Sequence, residues 1–391
     1  MLVAQALDPD AYRETLKADS DKRATEAFKE PFVGITADGK VQSGLYTLNS
    51  TGISTAPIVD AAKAFLNTLD PKQRDEVSFP ALDIEWRKWA NQANYYRDGL
   101  WFEKMSEAQR QAAFGLLAAS LSARGVKLIQ EIMKSNEILG VLNNEDFAKY
   151  GEWKYWISIM GEPSVTEPWG WQLDGHHMGV SYLVLGDQVV MSPAFLGAEP
   201  TTITASGVMT EEAGYALDLI RSLTPVQMKQ AIIKPRKDRT NLITDAFSDN
   251  EVIPYAGVQV SGFTPQQKAL LKKVLGLWVG NMREEHARVR MAEVERYLEQ
   301  TWFAWIGETG DDAPIYYRIQ SPVILIEFDH QRPQGIVNLY KPEWMEDAYR
   351  GHIHAVMRTP NGNDYGIELL KQHHAKSTQH GQDGKPLWQT Q

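Results

Sequence analysis

The sequence contains no cysteine. This absence excludes disulfide bonds, thiolate nucleophiles, iron–sulfur clusters and cysteine-rich zinc modules. Any metal site must therefore be built from histidine, aspartate, glutamate or water. The sequence also has no apolar run near the ~20 residues of a membrane span, and its first ten residues lack the basic segment of a secretory signal. We expect a protein without membrane contact, cytoplasmic or exported after removal of a signal.

Long basic runs are missing as well. The formal net charge is −10 over 391 residues, which argues against a nucleic-acid partner because DNA and RNA are bound through clustered positive charge. No P-loop, Rossmann glycine pattern or Gly-x-Ser-x-Gly nucleophile motif is present in the sequence. These absences leave a small molecule as the expected substrate. Hydrophobic residues make up 43% of the chain, enough for a substantial core.

Four predicted helices begin with the same local pattern. An apolar residue precedes a capping residue, and glutamine follows three residues later, which is typical of a capping box. The four capping residues are Asp70, Ser106, Thr224 and Thr264. We do not interpret them as an internal repeat, because the segments between them are dissimilar. Another helix is predicted from Pro57 to about Asn67.

Hydrophobic alternation changes to a period of two after Trp153, which is typical of strands. The strands are predicted at residues 178–184, 187–191, 302–306, 316–320, 323–328 and 352–358. Helices are inserted near 210–232 and 264–300, and residues 32–48 predict a hairpin with an Asp38-Gly39 turn. The charged run 284–296 predicts a solvated helix face that includes His286.

The predicted class is α+β, with a mostly antiparallel sheet in the second half and an α-helical first part. We predict one continuous domain over residues 1–391. Residues 1–150 form its mainly helical part, residues 151–374 form the sheet-rich part with the site, and 375–391 are a polar tail.

The segment Arg350–Arg358 contains the strongest functional signal. In a strand, alternate side chains share a face, so His352, His354 and Arg358 lie together, opposite an apolar face. Residues two apart along a strand are about 6.6 Å apart, and histidine binds zinc at about 2.0–2.1 Å. Both imidazoles can therefore reach one ion, and Arg358 could hold an anionic group or a developing oxyanion.

A second histidine segment runs from Trp169 to Tyr182. If it is extended, His177 shares a small, polar face with Ser181, whereas His176 shares an apolar face. His177 is therefore the better metal ligand, and His176 is a core or supporting residue, although a loop could let both bind. Trp169, Trp171 and Ser181 are candidates for substrate contact, with a core role as the alternative for the two tryptophans.

Two carboxylates, Glu327 and Asp329, lie at the end of the strand predicted at 323–328, on the side that faces away from the core. Buried carboxylates require a charged partner or a metal, so Glu327 could be a ligand beside His352 and His354. Asp329 could fix a histidine tautomer or act as a base. Tyr317 and Arg318 on the neighbouring strand are substrate-binding candidates, and Arg318 could instead pair with one of the carboxylates.

Several of these motifs together resemble the domain of unknown function 3500 family. The motifs are Glu85-Trp86-Arg87-x-Trp89-x-Asn91, Trp169-Gly-Trp-x-x-x-Gly175-His176-His177, Pro193-Ala-Phe195-Leu196-Gly197-Ala198-x-Pro200, Tyr316-Tyr317-Arg318-Ile319, Ile326-Glu327-Phe328-Asp329, His352-Ile-His354-x-Val-x-Arg358 and Asn363-Asp364-Tyr365-Gly366. The resemblance covers about residues 32–374 and implies one continuous domain. It implies no activity.

The first hypothesis is a metal-dependent hydrolase. His177, His352, His354 and Glu327 would hold one divalent ion, zinc first and iron(II) or manganese second, with His176 as a further ligand candidate. Glu327 or Asp329 would act as base, and Arg358 would stabilise negative charge on a small, anionic or aromatic substrate. The alternatives are a non-haem iron oxygenase with the same ligands, a binding protein with an aromatic groove at 153–171, and a metal-free acid–base enzyme using His177 and Glu327.

Overall fold

The computed structural model describes residues 9–202, 207–336 and 346–376, with side chains described from residue 14 onward. The helices are α1 (Pro9–Ala27), α2 (Ala56–Asn67), α3 (Pro71–Val77), α4 (Glu107–Ser120), α5 (Ala123–Leu142), α6 (Thr210–Ser222), α7 (Pro225–Ala231), α8 (Pro265–Val279), α9 (Glu284–Arg296) and α10 (Ile367–Lys376). The strands are β1 (Ser78–Phe79), β2 (Leu100–Trp101), β3 (Tyr155–Met160), β4 (Trp169–Gly175), β5 (Met178–Leu185), β6 (Gln188–Ala198), β7 (Ile232–Lys234), β8 (Val258–Gln259), β9 (Trp302–Ile306), β10 (Tyr316–Gln320), β11 (Leu325–His330) and β12 (Ile353–Arg358).

All twelve strands of the described residues belong to one sheet. Its order is β1-β3-β4-β5-β6-β12-β11-β10-β9-β7, with β2 beside β3 and β8 beside β9. The eight central strands pair antiparallel, and only the short β1 and β7 pair in parallel with β3 and β9 among the described strands. The α+β prediction is therefore confirmed.

The two faces of the sheet have different coverings. Ile353, Ala355 and Met357 of β12 join a large apolar core with residues of α2, α4, α5, α6 and α8. The opposite face, which includes Val356, packs in a second core against the chain around Trp86 and Trp89. That second face also contains the buried Arg318 and Glu327, which lie in register with Val356, so the alternation seen in the sequence correctly separates the apolar and polar sides of the strand.

The chain contains two halves with the same order of elements, from α2 to β6 and from α6 to β12. Their strand registers agree: Trp171 pairs with Ile159 and Tyr182, and the residues 146 positions later, Tyr317 with Trp305 and Phe328, pair identically. The rings of Trp171 and Tyr182 stack at 5.1 Å, and those of Tyr317 and Phe328 stack at 5.2 Å. The prediction that these segments are not an internal repeat is therefore wrong, since the fold repeats although the residues differ.

Helix caps repeat in the same way. Gln109 donates to the Thr68 carbonyl and to Gln73, while Gln267 donates to the Ser222 carbonyl and to Gln227. The halves meet where β6 pairs antiparallel with β12, with Ala194 opposite Met357. The loops before α5 and α9 also meet, through a bridge between Leu121 and Met282. These matched contacts define a pseudo-twofold relation between the halves.

The predicted capping boxes are confirmed at all four helix starts, with the cap side chain and the glutamine bonded reciprocally. The helix predicted from Pro57 is confirmed as α2. Within the described residues, no helix combines the length and apolarity needed to cross a bilayer.

The hairpin predicted at 32–48 is wrong. Thr36 instead bonds to residues 251 and 253 through its backbone, and the Asn250 side chain accepts from the amides of Val33 and Gly34. A distant segment therefore satisfies the backbone that a hairpin would have used. His286 is likewise 3% exposed and not solvated, because it lies on the same side of α9 as buried Val294. The predicted tail at 375–391 lies outside the described residues from 377 onward.

Candidate metal centre

Three imidazoles from distant parts of the chain converge on the polar face of the sheet. The Nε2 atom of His352 lies 3.2 Å from Nε2 of His177 and 3.0 Å from Nε2 of His354. Potential ligand atoms of all three lie within 4.8 Å of one another. The side chains are buried, with 3%, 1% and 7% exposure for His177, His352 and His354. The two histidine segments of the sequence therefore form one cluster.

The antiparallel pairing of β6 and β12 places two of these rings. His352 directly precedes β12, and His354 lies within it opposite Gly197 of β6 and Asp329 of β11. A Cβ atom at Gly197 would lie 2.4 Å from the Ile353 carbonyl oxygen, closer than any such contact allows. Glycine therefore permits β6 to approach the backbone beside His354.

His177 occupies a two-residue turn between β4 and β5, so these residues are not extended as the sequence suggested. Its φ is +62°, a left-handed conformation that is uncommon for residues other than glycine. Its amide donates to the Asn91 carbonyl, and its own carbonyl accepts from Gly197. These two bonds hold the backbone in the conformation that directs the ring toward His352.

The hydrogen bonds of the cluster favour a cation. Nδ1 of His352 is 2.7 Å from the Arg332 carbonyl, which can only accept, so Nε2 of a neutral His352 carries a lone pair. Without a cation, this one lone pair would have to accept from both neighbouring Nε2 atoms. Burial lowers the pKa of His177 and of His354 well below its ordinary value, which keeps both imidazoles neutral and able to act as ligands.

The spacing also fits a metal. Nitrogen ligands 2.0–2.1 Å from a tetrahedral zinc ion are about 3.3 Å apart, close to the two Nε2 separations in the cluster. Three histidines leave the fourth position of such an ion for water or substrate, the arrangement of catalytic zinc sites; structural sites use four protein ligands.

His176 lies beside the cluster but is not one of its three members. Its ring stacks on His177 at 3.9 Å, and its Nδ1 is 2.8 Å from the side-chain oxygen of Asn136. Tyr150 packs on the same ring. The turn therefore places His176 against His177, and the group of potential ligands does not include it as a further metal ligand.

Neither predicted carboxylate belongs to the three-histidine group. Glu327 accepts from the hydroxyls of Thr244 and Tyr316 and from the amides of Ile243 and Thr244. Asp329 forms an ion pair with Lys237, 2.7 Å between Nζ and Oδ1, and its other oxygen accepts from residues 240–242. These partners satisfy the carboxylates and argue against their predicted roles as ligand and base.

Arg358 is fully buried, and its donors are used within the protein. It donates to Asp364 and to the carbonyls of Thr244 and Asp245. The guanidinium therefore holds the covering segment around residue 245 against the sheet. This position argues against a direct contact with substrate.

The five predicted substrate-binding residues are also buried. Trp169, Trp171 and Tyr317 lie in the large apolar core, where Trp169 donates to the Ser164 carbonyl, Trp171 to Ser120, and Tyr317 accepts from Trp278. Ser181 accepts from Gln172, and Arg318 donates to the Pro254 carbonyl. Their roles are structural in this fold, because the sheet and its coverings enclose them.

Two residues without a predicted role support the histidines. Asn91 lies with Nδ2 3.3 Å from Nδ1 of His354. Glu199 lies 3.9 Å from Nδ1 of His352 and accepts from the amides of Gln334 and Gly335 and from the Tyr349 hydroxyl. Asn91 stood within a family-like motif, but neither residue has a spacing that indicates contact with a histidine.

The molecule is an α+β protein with a buried three-histidine cluster on a duplicated antiparallel sheet. A family model described as "Protein of unknown function (DUF3500)" matches residues 51–367. The chain therefore belongs to this family, as its motifs suggested. No curated protein and no solved structure matches it.

Proposed function

We propose that this protein is a metal-dependent enzyme, and most specifically a hydrolase that uses water bound to one divalent ion. The observation that supports this most is the convergence of Nε2 atoms from His177, His352 and His354 in a buried site. A zinc ion with three histidine ligands would lower the pKa of its bound water to about 7. The resulting nucleophile reduces the need for a separate carboxylate base, which fits the engagement of Glu327 and Asp329 elsewhere.

The ligand set favours zinc over the iron of a typical oxygenase. Non-haem iron(II) oxygenases commonly use two histidines and one carboxylate. Within the described part of the chain, the group of potential ligands contains three histidines and no carboxylate. Iron(II) and manganese therefore rank after zinc, and the oxygenase remains the alternative enzyme.

Apolar residues border one side of the cluster. Leu139, Tyr150 and Ile336 form a separate apolar cluster. The Tyr150 ring packs on His176, and Leu139 lies next to Gly335, whose amide donates to Glu199. This border would limit the access of water to the ion from that side.

Elemental analysis of protein purified without a histidine tag tests the proposal. We expect about one zinc per chain, lost in His352→Ala, and an anomalous signal between the three rings. His286→Ala is the matched control, because it removes another buried histidine away from the cluster and should retain the metal. Zinc-free protein that binds no added zinc would refute the metal site and leave the binding protein or the metal-free acid–base enzyme. Iron with oxygen uptake would favour the oxygenase.

A further inference from the structure

Asn91 contacts two members of the histidine cluster, His177 and His354. Its backbone carbonyl accepts from the amide of His177, and its side-chain amide lies against the His354 ring. Trp89, two residues earlier, packs over Gly179, where an added Cβ would lie 2.5 Å from the indole ring. Asn91 itself is 2% exposed. The segment is therefore held closely on the sheet beside both ligands.

The contact between Asn91 and His354 has a specific chemical requirement. A histidine that binds a metal through Nε2 carries its proton on Nδ1, and this N–H needs an acceptor. The amide nitrogen Nδ2 of Asn91 lies 3.3 Å from Nδ1, and this nitrogen can only donate. No described residue donates a hydrogen bond to the buried Oδ1 of Asn91. Rotation of the amide by 180° would bring this oxygen to Nδ1, and the two amide orientations differ little in shape.

We propose that Asn91 is a positioning residue that selects the metal-binding tautomer of His354 by turning Oδ1 toward Nδ1–H. The inference rests on the proposed metal site. When Nδ2 of Asn91 faces the His354 ring, it donates to Nδ1 and so favours the other tautomer of His354, in which the proton is on Nε2. Asn91 therefore changes hydrogen-bond partner when His354 becomes a ligand.

Asp245 connects to the same amide. Its Oδ2 lies 3.5 Å from Nδ2 of Asn91, and its Oδ1 accepts from the Ala246 amide. Rotation of the Asn91 amide would place its Oδ1 near Oδ2 of Asp245. A double variant that combines Asn91→Asp with Asp245→Asn would remove this conflict. The carboxylate introduced at position 91 would accept from His354, and the amide introduced at position 245 would donate to that carboxylate. The exchange preserves the total charge and the shapes of both side chains.

The test measures zinc affinity by chelator competition in the full chain, together with the ring nitrogen signals of His354 by NMR. We expect Asn91→Leu to weaken zinc binding 10–100-fold, the range for loss of a residue that orients a ligand. Asn136→Leu is the matched control: Asn136 is also 2% exposed and bonds Nδ1 of His176, which is outside the cluster. It should change affinity less than about threefold, below the range for a lost orienting residue.

The exchanged double variant gives an independent result if Asn91→Leu does not fold. We expect it to bind zinc at least as tightly as the natural protein and to show a proton on Nδ1 of His354. Equal losses in Asn91→Leu and Asn136→Leu would overturn the role of Asn91, as would tenfold weaker binding by the double variant. If the natural protein binds no zinc, the metal site itself fails, so the two failures are distinguishable.

Discussion

The conformation of single residues determines whether the three imidazoles meet. His177 has a left-handed backbone, Gly197 leaves no space for a Cβ atom, and the Arg332 carbonyl fixes the proton of His352. None of these residues acts through a charge. Each limits the position of a neighbouring backbone, ring or proton, so the histidine cluster depends on backbone geometry and hydrogen bonding as much as on the imidazoles themselves.

Substitution of Gly197 tests this dependence. Gly197→Ala should force β12 away from β6, because the new methyl group would meet the Ile353 carbonyl at 2.4 Å. We expect lower unfolding stability by about 1–3 kcal/mol, the usual cost of overpacking, and weaker zinc binding as His354 moves. Chemical denaturation and metal competition measure the two effects.

Gly115→Ala is the control for that experiment. Gly115 lies within α4, and its Cβ would meet no atom within 4 Å. Alanine should there raise stability by about 0.5–1 kcal/mol and leave zinc binding unchanged. Equal effects of the two substitutions would contradict the role assigned to Gly197.

Helices and strands follow local patterns that the sequence reveals. The four capping boxes were predicted because each needs only residues within one turn of helix. The face of β12 that carries the histidines was predicted because the alternation of side chains along a strand is also a local pattern. Most partners of Glu327, Asp329 and Arg358 were not predicted, since they come from residues 237–245 and 364, which have no regular period. Alternation identifies the polar face of a strand but not the segment that covers it.

The cap of α4 also joins it to α3. The Gln109 side chain accepts from the Ser106 amide at 2.8 Å and donates to the Thr68 carbonyl and to Gln73. Gln109→Ala should therefore lower the free energy of unfolding by about 1–2 kcal/mol, the range of a lost cap. Gln111→Ala removes an exposed glutamine of the same helix, whose side chain donates to Glu107, and it should change stability by less than about 0.5 kcal/mol. Equilibrium denaturation measures the free energy of unfolding of both variants. Similar decreases in the two variants would show that the cap shared by α3 and α4 contributes nothing to stability.

The whole molecule combines two similar halves that differ at the three positions of the histidine cluster. The turn with His177 in the first half corresponds to the turn near Val323 in the second, and β12 with His352 and His354 corresponds to β6, which has Gln188 and Val190 at the equivalent positions. The duplication was missed because equivalent core positions stay aromatic or apolar but change identity, as when Tyr317 and Phe328 replace Trp171 and Tyr182. A pattern of stacked rings survives such changes, whereas sequence similarity does not.

The ligands of the proposed ion come from both halves, so metal binding should stabilise their association. Zinc at 100 times its dissociation constant should raise the free energy of unfolding by about 2.7 kcal/mol, because only the folded chain brings the three rings together. His177→Ala removes the single ligand of the first half and should abolish most of this gain, while His286→Ala should retain it. Thermal unfolding with and without zinc, and again after addition of a chelator, measures the difference. A gain of equal size in His177→Ala would mean that zinc stabilises the protein from another site.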